Sequence, residues 1–147
     1  MSQSLANILI HIVFSTKQRQ PYFSAEIGND LYDYLAGILK NKNCHPHQIG
    51  GASDHIHILC AQSKNITLST LIEQLKTGSS KWIKTKNNNF YWQNGYGAFS
   101  ISPAHLNAVK LYIANQLEHH RKISFQDEMR NLLNKYGIEY NEKYLWD

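Results

Sequence analysis

The order of patterned segments along the 147-residue chain predicts an α+β fold of the ferredoxin-like type. That is βαββαβ, an antiparallel sheet with two helices on one face, followed here by two further helices. Three observations carry this reading. An apolar, β-branched opening stretch reads as a central strand. Two stretches with helical apolar spacing each follow a strand. A glycine-rich turn joins the middle two strands as a hairpin.

Residues 5–14 form the first expected strand, with His11 as its polar exception. Ser24 is placed to cap a helix in which Leu31, Leu35, Ile38 and Leu39 recur at helical spacing to about residue 40. Residues 45–49 read as a second strand, and Pro46 pushes it toward a sheet edge. Gly50-Gly51-Ala52-Ser53 reads as a turn and residues 54–61 as the third strand. From Thr67 a second helix carries Leu68, Leu71, Ile72 and Leu75, with Trp82 and Ile83 at its end. After the polar loop Lys86-Asn87-Asn88-Asn89, residues 97–102 supply a short fourth strand. Ser102-Pro103 is a cap followed by an N1 proline for a third helix running to about residue 121. Ser124-Phe125-Gln126-Asp127 resembles a capping box and opens a final helix that ends near Gly137. With no repeat, low-complexity tract or linker, residues 1–147 are expected to form one domain.

Composition narrows the class. No apolar run is long enough for a bilayer, and Met1-Ser2-Gln3-Ser4 lacks a basic leader, so a cytoplasmic protein without a membrane partner is expected. Cys44 and Cys60 form no CxxC pair, which argues against a disulfide framework or a zinc ribbon. The formal net charge is +4, and its distribution is uneven. Between Glu73 and Glu118 there is no acidic residue, while Lys76, Lys81, Lys84, Lys86 and Lys110 fall inside. Trp82, Phe90, Tyr91, Trp92, Tyr96 and Phe99 are interleaved with them. Lysines attract phosphates and aromatic faces stack on unpaired bases, the chemistry of a single-strand groove; a solvated face beside ordinary core aromatics gives the same pattern.

In a strand, residues two apart share a face, so His55 and His57 project together and form a half-site for a divalent ion. The spacing alone is weak, since His45-Pro46-His47 repeats it upstream. On the third helix Tyr112 and Gln116 are four apart and share a face, with His105 and His119 near the same stripe. Tyr32 and Tyr34 are followed at i+4 by Ala36 and Ile38, which reads as packing. Tyr136 and Tyr140 belong to a C-terminal aromatic run.

Taken in order, these segments resemble the single-tyrosine HUH transposases, the TnpA-type enzymes of small insertion sequences; HUH denotes His, a bulky hydrophobic residue, His. His11-Ile12-Val13-Phe14 resembles the family's first strand, with Lys17 and Arg19 in its basic follow-on. Asp54-His55-Ile56-His57-Ile58-Leu59 resembles the HUH strand, and Trp92-Gln93-Asn94-Gly95-Tyr96 the approach to the last strand. Tyr112-Ile113-Ala114-Asn115-Gln116 resembles the nucleophile helix.

The resemblance implies that His55 and His57 bind Mg²⁺ or Mn²⁺, with Gln116 as third ligand. Tyr112 would attack a single-stranded DNA phosphate, leaving a 5′-phosphotyrosine and a free 3′-hydroxyl. It also implies a homodimer whose tyrosine helix can complete the partner's site, and recognition of DNA hairpins at element ends. Lys17, Arg19, Lys76, Lys81, Lys84, Lys86 and Trp92 are the DNA-contact candidates. This ligand set has no carboxylate, and Asp54 is expected to point away from His55. Gly50-Gly51-Ala52-Ser53 departs from the approach to the HUH strand in many relatives. Three other readings share the motifs: a domesticated relative acting on chromosomal repeat hairpins, a non-catalytic hairpin-binding module, and another HUH nuclease such as a replication initiator or relaxase.

Overall fold

The computed structural model describes residues 2–147, so of the segment read for a leader only Met1 lies outside it. The strands are β1 (Leu9–Ser15), β2 (His45–Ala52), β3 (His55–Ala61) and β4 (Gly97–Ile101), and the sheet order is β2-β3-β1-β4. Every neighbouring pair is antiparallel. Helices α1 (Ala25–Asn41) and α2 (Leu68–Lys84) follow β1 and β3, which gives the ferredoxin-like arrangement. The C-terminal part adds α3 (Leu106–Ala114), α4 (Gln116–His119) and α5 (Phe125–Lys135). Among the described residues, no helix is long and apolar enough to cross a membrane.

The caps explain where the helices begin. The hydroxyls of Ser24, Thr67 and Ser124 accept the backbone N–H three residues on, which satisfies a donor the helix itself cannot. Strand alternation then divides the core. Ile10, Ile12, Phe14, Ile56, Ile58 and Cys60 pack under α1 and α2 against Leu31, Leu35, Leu39, Leu71 and Leu75. Each such leucine removed from water contributes about 1.5–3 kcal/mol. The other face presents Leu9, Val13, Leu59, Phe99 and Ile101, covered by Ile113 of α3 and Phe125, Met129 and Leu133 of α5. His11, His55 and His57 lie on that second face, beneath the C-terminal helices.

Four boundaries differ from the sequence reading. Strand β1 starts at Leu9, and residues 5–8 are exposed. Strand β2 runs through Gly50 and Gly51 to Ala52, so the hairpin turn is only Ser53-Asp54. Asp54 therefore precedes β3 and escapes strand alternation. The third helix is not continuous: a 3₁₀ turn at Pro103–His105 precedes α3, and Asn115 (φ −98°, ψ 20°) separates α3 from α4. Ser102 does not cap it through the backbone; its hydroxyl pairs with His105 Nδ1 at 2.7 Å.

Gly50 serves a close approach rather than a turn. A Cβ there would lie 2.5 Å from the carbonyl oxygen of Ile113, the residue after Tyr112. Gly50→Ala is expected to lift α3 from β2, costing about 1–3 kcal/mol in a chemical melt. An unchanged melt would show that α3 does not need this contact.

Candidate active site

Strand β3 sets His55 and His57 side by side, and both are fully buried. His55 is held on three sides. Its Nδ1 lies 2.7 Å from Asp54 Oδ1, its Nε2 lies 3.0 Å from Gln116 Oε1, and Phe125 stacks on the ring at 4.6 Å. Contrary to the alternation argument, Asp54 turns toward His55, because it belongs to the turn. An outer carboxylate of this kind fixes the orientation of a ligating imidazole.

The centre of the cluster is Glu128, only 2% exposed. It lies at the fourth position of α5, directly after the Ser124 cap, where a helix N-terminus favours a carboxylate. Its Oε1 accepts from His57 Nε2 at 2.9 Å and from His120 Nε2 at 3.0 Å. Its Oε2 accepts from Gln116 Nε2 at 3.0 Å and from the Tyr112 hydroxyl, and His119 Nε2 lies 3.3 Å away. Behind His57, His11 Nε2 approaches Nδ1 at 2.8 Å. An ionised carboxylate only accepts, so His57 carries its proton on Nε2 and its Nδ1 accepts from His11.

Burial works against charge on Glu128, but the hydrogen bonds from His120 and His57 prevail and hold it well below the usual carboxylate range. Burial, reinforced by that carboxylate, pushes the Tyr112 phenol above its ordinary range. Burial lowers His57 to about 4 and His11 to about 3. Burial also opposes charge on His120, yet the bond to Glu128 outweighs it and raises this imidazole.

The signs give a pH dependence for the protein in EDTA. Unfolded, His11 and His57 bind protons near 6.5; folded, they do so only near 3 and 4. Their contribution is complete above 6.5 and is lost as pH falls through this window, because the unfolded chain then holds more protons. His57 alone accounts for on the order of 3 kcal/mol. His120, shifted upward, acts in the opposite sense and loses its contribution as pH rises through its folded value. The urea midpoint is expected to fall steeply between pH 6.5 and 4; a flat midpoint there would contradict neutral buried histidines.

His55, His57, His120 and Glu128 each offer a ligand atom within 4.8 Å of the others, a group able to hold a metal ion. Tyr112 reaches this group from within the same chain. Of these residues, sequence reasoning found His55, His57, Tyr112 and Gln116, and missed Glu128, His120 and the partner role of His11. A signal was available for Glu128: it lies on the apolar stripe of α5 beside Phe125 and Met129, where an unpaired carboxylate would be costly.

The expected DNA contacts separate into two groups. Lys17 is exposed in the 3₁₀ turn after β1, and the Arg19 guanidinium lies 5.5 Å above Trp146. Lys81 and Lys86 are exposed on and just after α2, and Lys84 Nζ lies 4.4 Å over the exposed ring of Tyr91. Lys76 instead turns inward. Its Nζ donates to the carbonyls of Gln93 at 2.8 Å, Asn94 at 3.3 Å and Gly95 at 2.8 Å, and burial lowers it to about 8. Trp92 is buried against Phe14 and Phe90, with its Nε1 donating to Ser79 at 2.9 Å. Its ring offers no open face for a base, whereas Tyr91 is exposed.

Comparison with known proteins identifies the family. The family described as "Transposase IS200 like" matches residues 4–116. The chain belongs to the IS200-like transposase family. Comparison with curated proteins finds no match. Among solved structures, a candidate transposase from Deinococcus radiodurans R1 superposes with a TM-score of 0.63 at 18% identity, over 79% of this chain and 98% of that one. A REP-associated tyrosine transposase bound to a REP hairpin superposes with a TM-score of 0.62 at 12% identity, over 84% of this chain and 76% of that one. These likenesses establish a shared fold for this IS200-like transposase. The family match stops at Gln116, so Glu128 and His120 lie beyond it.

Proposed function

We propose that this IS200-like transposase cleaves and rejoins single-stranded DNA at hairpin-marked ends, with Tyr112 as nucleophile beside a divalent cation. The convergence of Tyr112, His57 and Gln116 on one buried carboxylate carries the reading. Residues 1–147 act as one catalytic domain, since α5 supplies that carboxylate.

The donor set fits a cation. His55 and His57 supply imidazoles, with His120 as a further one, and Gln116 Oε1 and Glu128 supply oxygens. Glu128 adds the hard ligand that Mg²⁺ or Mn²⁺ prefers and that the sequence-derived set lacked. A divalent ion held there would polarise the scissile phosphate and favour phenolate.

The residues of the chain do the rest. Tyr112 is oriented by Glu128, which accepts its proton in the hydrogen bond. Attack of the tyrosyl oxygen on phosphorus breaks the P–O3′ bond, leaving a 5′-phosphotyrosine and a 3′-hydroxyl. The covalent link conserves the phosphodiester bond, so a second 3′-hydroxyl rejoins the strand without ATP. Lys17, Arg19, Lys81, Lys84 and Lys86, with Tyr91, are the proposed contacts for the hairpin and its flanks. The proposed arrangement has Tyr112 act at the histidine pair of its own chain, which it meets through Glu128.

Incubation with single-stranded hairpin DNA and Mg²⁺ or Mn²⁺, followed by denaturing gels, tests the reading. A protein–DNA adduct with a matching free 3′ fragment is expected. Tight binding of a verified cognate end without an adduct in either metal would instead make the protein a hairpin-binding module. Mixing Tyr112→Phe with His57→Ala protein should restore nothing; complementation would show that subunits share sites.

A further inference from the structure

A groove of about 620 Å³ runs between α3 and α5 over β4, and its inner end is formed by Tyr112, Glu128 and His11. The volume lies within the range of roughly 300–1,000 Å³ typical of small-ligand sites. Ile101, Val109 and Leu132 give it apolar walls, and Tyr136, itself stacked on Phe99 at 4.7 Å, lines it. Asn131 and Lys135 stand exposed along its α5 side. The only acidic lining residue is Glu128, already engaged at the inner end.

We propose that this groove is a nucleoside subsite that holds and reads the base flanking the scissile phosphate. The inference rests on the proposed cleavage of single-stranded DNA. A phosphate placed at Tyr112 carries a nucleoside on each side, and the groove is the cavity that opens directly from that hydroxyl. Apolar walls suit the two faces of a flat heterocycle, as aromatic and aliphatic platforms do in other single-strand binders. Asn131 is a donor and an acceptor, which suits a base edge, while Lys135 suits the next phosphate. Protein side chains would thereby select one nucleotide at the cleavage point.

The test uses full-length Tyr112→Phe protein, so that binding is read without cleavage. Single-stranded oligonucleotides from the DNA flanking the gene carry 2-aminopurine at each unpaired position in turn. One position next to the cleavage point is expected to change emission on binding. Ala108→Trp, an exposed α3 position lining the groove, should abolish that change. It should also weaken binding about tenfold, but not binding of a strand made abasic at that position. Asn131→Ala, with Tyr112 intact, should flatten the base preference of cleavage at that position. No responsive position, or equal loss of affinity for the intact and abasic strands, overturns the subsite. Absence of any adduct with wild-type protein counts against the cleavage reading alone, since the emission change is still measured; absence of single-strand binding overturns both.

Discussion

Tyr112→Phe protein should fold as the parent does and yield no DNA adduct, a loss of at least about 10³-fold. The ring remains, so its packing beside His57 and His119 is kept, with centroids at 5.8 Å and 5.2 Å in the parent. What disappears is one oxygen and its bond to Glu128. A buried carboxylate that retains His57, His120 and Gln116 tolerates the loss of one donor. Circular dichroism and melting should therefore match the parent while the gel shows intact DNA. Residual adduct in this variant would move the nucleophile to another residue.

Glu128 is expected to have the larger effect on stability. In Glu128→Ala protein, donors from His57, His120, Gln116 and Tyr112 lose their common acceptor in a site with almost no solvent. Removing one side of a buried charged network costs about 3–5 kcal/mol, a large share of a domain's total stability. Because its folded pKa is depressed, Glu128 contributes throughout the range above 4.5 and loses its contribution only as pH falls through a far lower value. The penalty of the Ala variant should thus be present at pH 7 and persist at pH 5. Glu128→Gln keeps the shape and isolates the charge. With the parent, Mn²⁺ at a hundredfold excess over its dissociation constant should stabilise the fold by about 2.7 kcal/mol. The Gln variant should show little of that shift and little adduct. If it retains both, the carboxylate charge serves neither metal nor nucleophile.

Much of this architecture was legible in the residues. A first strand, read at 5–14 and found at Leu9–Ser15, and the capped helices follow from apolar spacing and from Ser24, Thr67 and Ser124. His55 with His57, and Tyr112 with Gln116, were found because each pair lies within a single element, where backbone geometry fixes the shared face. Glu128 was not, because its meaning depends on how α5 docks across the sheet. In isolation a glutamate one turn after a serine cap reads as a dipole partner. Asp54 was misjudged because strand alternation was extended one residue past the end of β3. The burial of Trp92 and the carbonyl contacts of Lys76 were not legible, because a run of lysines and aromatics does not say which side chains turn inward. Backbone carbonyls at 93–95 claimed the lysine, and Ser79 claimed the indole.

The place of Glu128 along the chain also bears on synthesis. It lies twelve positions after Gln116, and Tyr112 and both strand histidines come earlier still. A ribosome adding roughly 5–20 residues per second completes the sheet and the tyrosine helix before it makes the residue that joins them. Nascent chains and premature-stop products that end before α5 therefore carry Tyr112 without Glu128. On the proposed reading, the Tyr112 site is complete only once the last helix, α5, has been made.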